Sequence, residues 1–320
     1  MNRKLTNWFV VALAVTAAPA ALAQKNPFLG KWNITGHGAE SNYVYWLEVR
    51  EEGGKPSAMF LNRGGSPMPA ENVKLAGGEL AFTLAGGRSG RPGPEIRLKA
   101  EPGDRITGTV KSGNQTVSVA GVRPPKWGAY DANARHKLGK PVELFDGKSL
   151  DAWTAQHKEK PIGWKVEGGV MMNEPHGNNL VSKEKFQDFK IQAEYKVEKG
   201  SNSGIYLRGR YELQVLDDNG RDPESHGHMA IYARKAPDTN ASKPAGEWQS
   251  MEATIVGNRV TVTLNGKKVH DNAAIEGITG GALDANELEP GPIMIQGDHE
   301  KVWFRKVTVT PILNGRQKSS

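Results

Sequence analysis

The sequence predicts an all-β protein in two units, a small antiparallel barrel followed by a jelly-roll β-sandwich. Three observations carry that expectation. The 320-residue chain holds 38 glycines and 19 prolines, which break helices and populate tight turns. Its apolar residues recur at every second position in short segments, the period of a half-buried strand, and no segment keeps a long helical period. The segments also fall into two groups, and a chain of this length accommodates two ordinary domains. A hydrophobic fraction of 37% is enough for such cores and argues against disorder. The formal charge of +7 is spread along the chain rather than gathered in a basic block, so nucleic acid is a poor fit as partner.

At the N-terminus, Arg3 and Lys4 precede an apolar run from Trp8 to Ala23 that closes on Ala21-Leu22-Ala23 before polar Gln24. Residues 1–23 therefore read as an export signal, with the mature chain starting at Gln24, periplasmic or secreted, and with no membrane anchor left after cleavage. The absence of cysteine rules out disulfides, so each unit must be held by its own core.

Residues 24–123 read as the barrel. Its expected strands are 31–35, 43–50, 57–61, 73–75, 79–84, 95–99, 106–110 and 117–122, joined by turns such as Glu52-Gly53-Gly54 and Pro102-Gly103-Asp104. The Gly30-Lys31-Trp32 opening is similar to the start of lipocalin-like barrels, with Trp32 as a core plug. No catalytic constellation is visible here. Residues 124–140 carry two prolines and no period, and read as a linker.

Residues 141–312 read as the sandwich, followed by a polar tail, 313–320. Its expected strands are 189–197, 204–208, 211–216, 229–232, 248–256, 259–264, 292–296 and 302–310. Alternation sorts three of them into faces. Ile205 and Leu207 oppose Tyr206 and Arg208; Tyr211, Leu213 and Val215 oppose Glu212 and Gln214; Ile293 and Ile295 oppose Met294 and Gln296. With the apolar sets in the core, Tyr206, Arg208, Glu212, Gln214 and Gln296 share one polar surface, and His299 lies at its end. On pattern alone such a surface reads first as a solvated face with cross-strand charge pairs. An aromatic ring beside amides, Arg and Glu is also the chemistry that binds a carbohydrate.

Other candidates weigh less. His226-Gly227-His228, in a polar acidic loop, could hold a cation but reads first as a loop, without the ligand spacing of an EF-hand. His157, His176 and His270 read as surface imidazoles. Trp153, Trp164, Trp248 and Trp303 read as core.

These pieces combine in one order. Leu144-Phe145-Asp146-Gly147, Gly163-Trp164-Lys165-Val166, Asn202-Ser203-Gly204-Ile205-Tyr206-Leu207-Arg208, Tyr211-Glu212-Leu213-Gln214-Val215-Leu216-Asp217, Pro244-Ala245-Gly246-Glu247-Trp248 and Gly291-Pro292-Ile293 through Gln296, His299 and Trp303 resemble the 3-keto-disaccharide hydrolase family, also called DUF1080. The resemblance covers residues 141–312. It implies a concanavalin-like jelly roll acting on glycosides whose C3 hydroxyl is oxidised to a ketone, by 1,2-elimination and rehydration. The ketone acidifies the C2 proton, a base removes it, the aglycone leaves C1, and water adds across the new double bond.

Carried over residue by residue, the resemblance makes Glu212 or His299 the base. Arg208, Gln214 and Gln296 then bind hydroxyls or the enolate oxygen, with Tyr206, Asp217 and Tyr232 as second choices. The family's commoner Gln-Asp-His-Gly ending reads here Gln296-Gly297-Asp298-His299-Glu300, so the reach of Asp298 and His299 is a point for the structure. A divalent cation would suit the ketone chemistry, but no motif establishes one. The runner-up reading is a non-catalytic carbohydrate-binding protein using the same face. A conventional retaining glucanase would need two carboxylates about 5 Å apart on a strand, a pattern missing from the sequence.

Overall fold

The structure is a computed structural model that describes residues 26–37, 42–86 and 92–314. The export signal expected over 1–23 lies outside the described residues, as do residues 315–320 of the expected tail. Every regular element among the described residues is a β-strand.

The first unit comprises β1 (Gly30–His37), β2 (Asn42–Glu52), β3 (Lys55–Asn62), β4 (Met68–Ala76), β5 (Glu79–Leu84), β6 (Glu95–Glu101), β7 (Arg105–Ser112) and β8 (Gln115–Val122). Each strand pairs with the next, and β1 also pairs antiparallel with β8, so the barrel closes and has no free edge. Alternation selects its interior: Leu80, Phe82 and Leu84 of β5, Ile96 and Leu98 of β6, and Val117 and Val119 of β8 point inward. Tyr45 stacks on Phe60, which meets Phe82 edge-on. Trp32 is the plug its position suggested: it is buried, its indole nitrogen donates to the Phe28 carbonyl at 2.7 Å, and the Arg123 guanidinium lies 3.5 Å over its ring.

The second unit consists of β9 (Val142–Phe145), β10 (Trp153–Ala155), β11 (Trp164–Glu167), β12 (Val170–Asn173), β13 (Leu180–Phe186), β14 (Phe189–Val197), β15 (Asn202–Leu207), β16 (Tyr211–Leu216), β17 (Gln249–Val256), β18 (Arg259–Leu264), β19 (Lys267–Ala274), β20 (Gly291–Ile295) and β21 (Val302–Pro311). They form a five-stranded sheet in the order β10-β13-β20-β15-β16 and an eight-stranded sheet in the order β11-β12-β21-β14-β17-β18-β19, in which β9 also pairs with β21. Ile205, Leu213, Val215, Ile293 and Ile295 of the first share one core with Ile191, Tyr195, Ile255 and Val309 of the second.

The structure departs from the sequence reading in several places. Strands β9 to β13 and β19 were not expected; four of them have only three or four residues, too few to show a period. The strand expected over 229–232 is instead a segment turned at both ends, with φ of 60° at Met229 and 55° at Ala233. It lies along β16 through Met229 N–Gln214 O (2.7 Å) and Tyr232 N–Glu212 O (3.1 Å), and so covers that edge of the sheet. Trp153 and Trp164 are core as expected, whereas Trp248 and Trp303 are half-buried, with the Lys196 ammonium 5.4 and 4.9 Å from their rings. Their rings face the cationic groups of Lys196, Lys301 and Arg305 rather than filling the space between the sheets. His270 is fully buried rather than superficial, its Nε2 2.8 Å from the Met229 carbonyl.

The two units are not strung on a free linker. Val44 and Trp46 of β2 and Leu61 of β3, on the outer wall of the barrel, belong to the core of the sandwich. The Arg234 guanidinium stacks 4.0 Å over Trp46, and Asn33 donates to Glu287 at 2.7 Å. The linker stretch is itself laid down, with Ala132 N bonded to Asn272 at 2.9 Å and Asn133 to Asp271 at 2.6 Å.

Candidate active site

Three adjacent strands of the five-stranded sheet build the floor of a hollow. Tyr206 of β15 faces Glu212 of β16 on one side and Met294 of β20 on the other, and Gly204 faces Gln214. Because side chains alternate, this register stands Asn202, Tyr206, Glu212, Gln214 and Met294 on the face away from the core. Gln296 joins them just beyond β20, its backbone nitrogen bonded to the Gly204 carbonyl at 3.0 Å. All six line a cavity of about 360 Å³. Its walls are Gln156, His157 and Asn179 from loops of the same sheet, Tyr232 from the edge-covering segment, Gly280-Gly281, Asp298-His299, and Gly64-Gly65 from the barrel.

Gly204 has a steric role on this floor. A Cβ there would lie 2.3 Å from Glu212 Oε1 and 3.0 Å from Gln296 Oε1, so the missing side chain is what lets the carboxyl lie over the strand. Glu212 is 3% exposed. Burial pushes its pKa up to about 8, against the opposing effects of the Tyr206 hydrogen bond and the nearby His299. At neutral pH it is therefore mostly a protonated acid.

Its surroundings suit both states. The Tyr206 hydroxyl is 2.8 Å from Glu212 Oε2, 2.8 Å from the Gly280 carbonyl and 3.1 Å from Gln296 Nε2, which donates to it. One rotation of that hydroxyl takes its hydrogen from Gly280, where it can accept from a protonated Glu212, to an ionised Glu212. Gln214, with its amide nitrogen toward Glu212, donates to Oε1 at 3.1 Å and to the Ser203 carbonyl at 2.8 Å.

Across the cavity, His299 Nδ1 lies 2.8 Å from Asp298 Oδ1. That hydrogen bond raises the imidazole pKa above its ordinary value, partly offset by burial. Burial acts to raise the Asp298 pKa, but the bond to His299 and its charge outweigh it and hold the carboxyl below its usual range. The extra glycine of the Gln296-Gly297-Asp298-His299 run does not remove the pair from the site. A Cβ on Gly297 would sit 2.5 Å from Trp164 Nε1 and 2.4 Å from the Asn178 carbonyl, so only glycine passes there. His176 braces the run from outside, its backbone nitrogen 2.8 Å from the His299 carbonyl.

Two acceptors on the floor, Gln296 Oε1 and Asn202 Oδ1, are buried without a hydrogen-bond partner. Unmet buried acceptors are costly, and here both border the cavity, where hydroxyl groups of a ligand would satisfy them. Among the described residues no group of three or more His, Asp and Glu side chains is arranged to hold a metal ion. The two imidazoles of His226-Gly227-His228 diverge: His226 Nε2 lies 2.7 Å from Ser66, and His228 Nε2 lies 2.6 Å from the Tyr195 hydroxyl.

A profile of the 3-keto-alpha-glucoside-1,2-lyase-like domain matches residues 140–310, over half of the chain. The chain belongs to that family. Over 165 residues it is 32% identical to a 3-keto-disaccharide hydrolase of Bacteroides thetaiotaomicron, a match covering 40% of this chain and 57% of that protein. The match thus spans little more than half of the relative's length. Two crystal structures of candidate glycosyl hydrolases from Parabacteroides distasonis are also similar. One is 30% identical with a TM-score of 0.48, over 54% of this chain and 84% of its own; the other is 24% identical with a TM-score of 0.43, over 54% and 100%.

Of the residues the family resemblance singled out, Glu212, His299, Gln214, Gln296, Tyr206 and Tyr232 meet in this one cavity. Arg208 and Asp217 do not line it. Strand β15 ends at Leu207, and Arg208 takes a φ of 56°, which breaks the alternation that had put it beside Tyr206. Its guanidinium is fully buried, donating to Asp188 Oδ1 and the Gly257 carbonyl, each at 2.8 Å, and to the Gln187 carbonyl. Asp217 carries the parity of Leu213 and Val215, not of Glu212, and its Oδ2 accepts from Gly200 N at 2.9 Å to close the turn before β15. The cavity also gathers residues that carried no assigned role in the sequence. His157 had been read as an ordinary surface imidazole. Asn202 and Asp298 stood inside or beside quoted motifs, and the parity of Asn202 with Tyr206 was the signal that could have found it.

Proposed function

We propose that this family member cleaves 3-keto-glycosides by elimination and rehydration, with His299 as the base and Glu212 as the acid. The carrying observation is the pairing, across one cavity, of a carboxyl kept protonated by burial with an imidazole oriented by its own aspartate. Neutral His299 takes the C2 proton, which the adjacent ketone has acidified. The electrons of the C2–H bond form the C1=C2 double bond as the C1–O bond breaks, and Glu212 gives its proton to the departing aglycone oxygen. Water then adds across C1=C2, its hydroxyl to C1 and a proton to C2. The net products are the 3-keto sugar and the aglycone alcohol. Gln296 and Asn202 accept from sugar hydroxyls, and Tyr206 and Gln214 hold the Glu212 carboxyl in place as its charge changes.

This assignment fixes the pH profile. Activity requires His299 neutral and Glu212 protonated, so it rises as pH passes the His299 pKa, above 6.5, and falls again as pH passes about 8. If Glu212 were the base and no acid were required, activity would instead climb through pH 8.

The test is a cleavage assay of the purified protein on a 3-keto-glucoside and on the unoxidised glucoside, with and without EDTA. Cleavage of the keto substrate alone supports the reading, and the EDTA arm reports any need for a divalent cation. Cleavage of both means ordinary glycosidase chemistry, and cleavage of neither with retained sugar binding means a binding module. We also propose that the chain is exported, on the strength of residues 1–23; mass spectrometry of the exported fraction should find a chain starting at Gln24, and an intact Met1 would contradict it.

A further inference from the structure

We propose that the barrel is part of the substrate site: its β3–β4 loop, at Gly64-Gly65, is the wall that sets how large an aglycone the cavity accepts. The inference rests on the keto-glycoside reading above.

Gly64 and Gly65 border the same cavity as Glu212 and His299, although about 150 and 235 residues separate them in sequence. The loop is clamped rather than loose. Gly281 N donates to the Arg63 carbonyl at 2.9 Å, Ser66 bonds to His226 at 2.7 Å, and the Arg63 guanidinium stacks 4.2 Å over Tyr43. The backbones of Gly65 and Gly280 touch so closely that a Cβ on Gly280 would lie 2.2 Å from the Gly65 oxygen. The Gly280 carbonyl in turn holds the Tyr206 hydroxyl against Glu212. The barrel thus reaches the acid through three consecutive contacts. It does this from outside, because its interior is filled with side chains.

The wall is bare by composition. Gly64 has no left-handed φ, and a Cβ placed on it meets nothing within 4 Å, so a side chain there is tolerated by the backbone and projects into open space. A cavity of 360 Å³ is near the low end of the roughly 300–1,000 Å³ usual for small-molecule sites. In so small a site the bulk of one wall decides between a small aglycone and a second sugar ring.

The experiment measures kcat/KM for two 3-keto-glucosides, one with a methyl and one with a glucosyl aglycone, using wild type, Gly64→Ala and Gly64→Leu. Thermal melting of each variant checks the fold. The expected result is a methyl-to-glucosyl selectivity that grows with side-chain size, by roughly tenfold or more in Gly64→Leu, carried by KM on the glucosyl substrate. Unchanged selectivity overturns the proposal, whether both substrates keep their rates or both fall in parallel. Inactivity of the wild type on both substrates would instead contradict the keto-glycoside reading and remove the inference with it.

Discussion

The barrel and the five-stranded sheet use the same antiparallel alternation for opposite ends. In the barrel the inward set is aromatic and aliphatic, with Trp32, Tyr45, Phe60 and Phe82 buried in one cluster. In the sheet the set facing away from the core is Asn202, Tyr206, Glu212, Gln214, Gln296 and Met294, mostly buried yet, Met294 apart, polar. Close packing gives the barrel rigidity and one solution for its loops. The sheet accepts desolvated polar groups, which cost stability and acquire shifted protonation states. The contrast teaches a division of roles: a unit packed around apolar side chains holds a wall against a unit whose buried polar groups are destabilising.

The largest expected effect that would sharpen this contrast is Glu212→Gln. It should lower kcat by roughly a thousandfold, within the range for loss of a general acid or base, while sugar binding persists. The same change should make the protein more stable, and increasingly so as pH rises from 4.5 toward 8. In that window the unfolded chain releases the Glu212 proton while the folded protein keeps it, so wild-type stability falls with rising pH. Chemical denaturation at several pH values checks this; an equal or lower stability of the variant would show that the buried carboxyl carries no cost.

Next comes Arg208→Met. Removing one partner of a buried ion pair costs about 3–5 kcal/mol, so the melting temperature should fall steeply. Any enzyme that remains folded should keep its KM, whereas a raised KM would return Arg208 to the substrate site. Gly204→Ala reverses that pattern. Its methyl group would displace Glu212 and Gln296, and kcat should drop roughly ten- to a hundredfold, with melting little changed; unaltered kcat would mean that the carboxyl has room to move. The smallest effect is on acid stability. Burial keeps His228 and His270 below the ordinary pKa of 6.5, so the unfolded chain gains protons that the folded one refuses, and stability should fall as pH drops below about 6.5. His228→Gln should soften that slope.

What was legible in the sequence followed from local periodicity. The alternation of residues 204–207, 211–216 and 292–296 was enough to place Tyr206, Glu212, Gln214 and Gln296 on one face. It failed where the strand stopped: Arg208 continues the parity of Tyr206 in sequence, but one positive φ sends it into the interior. Trp248 and Trp303 misled because an amphipathic ring serves a core or a cationic surface equally well. Beyond Tyr232 and His299, the walls of the cavity could not be read. His157, Gly64-Gly65 and Gly280-Gly281 come together only through tertiary contacts between distant segments, and no pattern within a loop announces what it will face.

If bond cleavage begins with loss of the C2 proton, solvent hydrogen must enter at C2. Running the reaction on a 3-keto-glucoside in D₂O and reading C2 of the released sugar by NMR, corrected for exchange without enzyme, detects it. His299 is 40% exposed, so the proton it takes should exchange with solvent before rehydration. Elimination followed by rehydration leaves one deuterium at C2 of the product. A product that keeps protium at C2 while carrying solvent oxygen at C1 would mean direct displacement at C1, and would contradict the account.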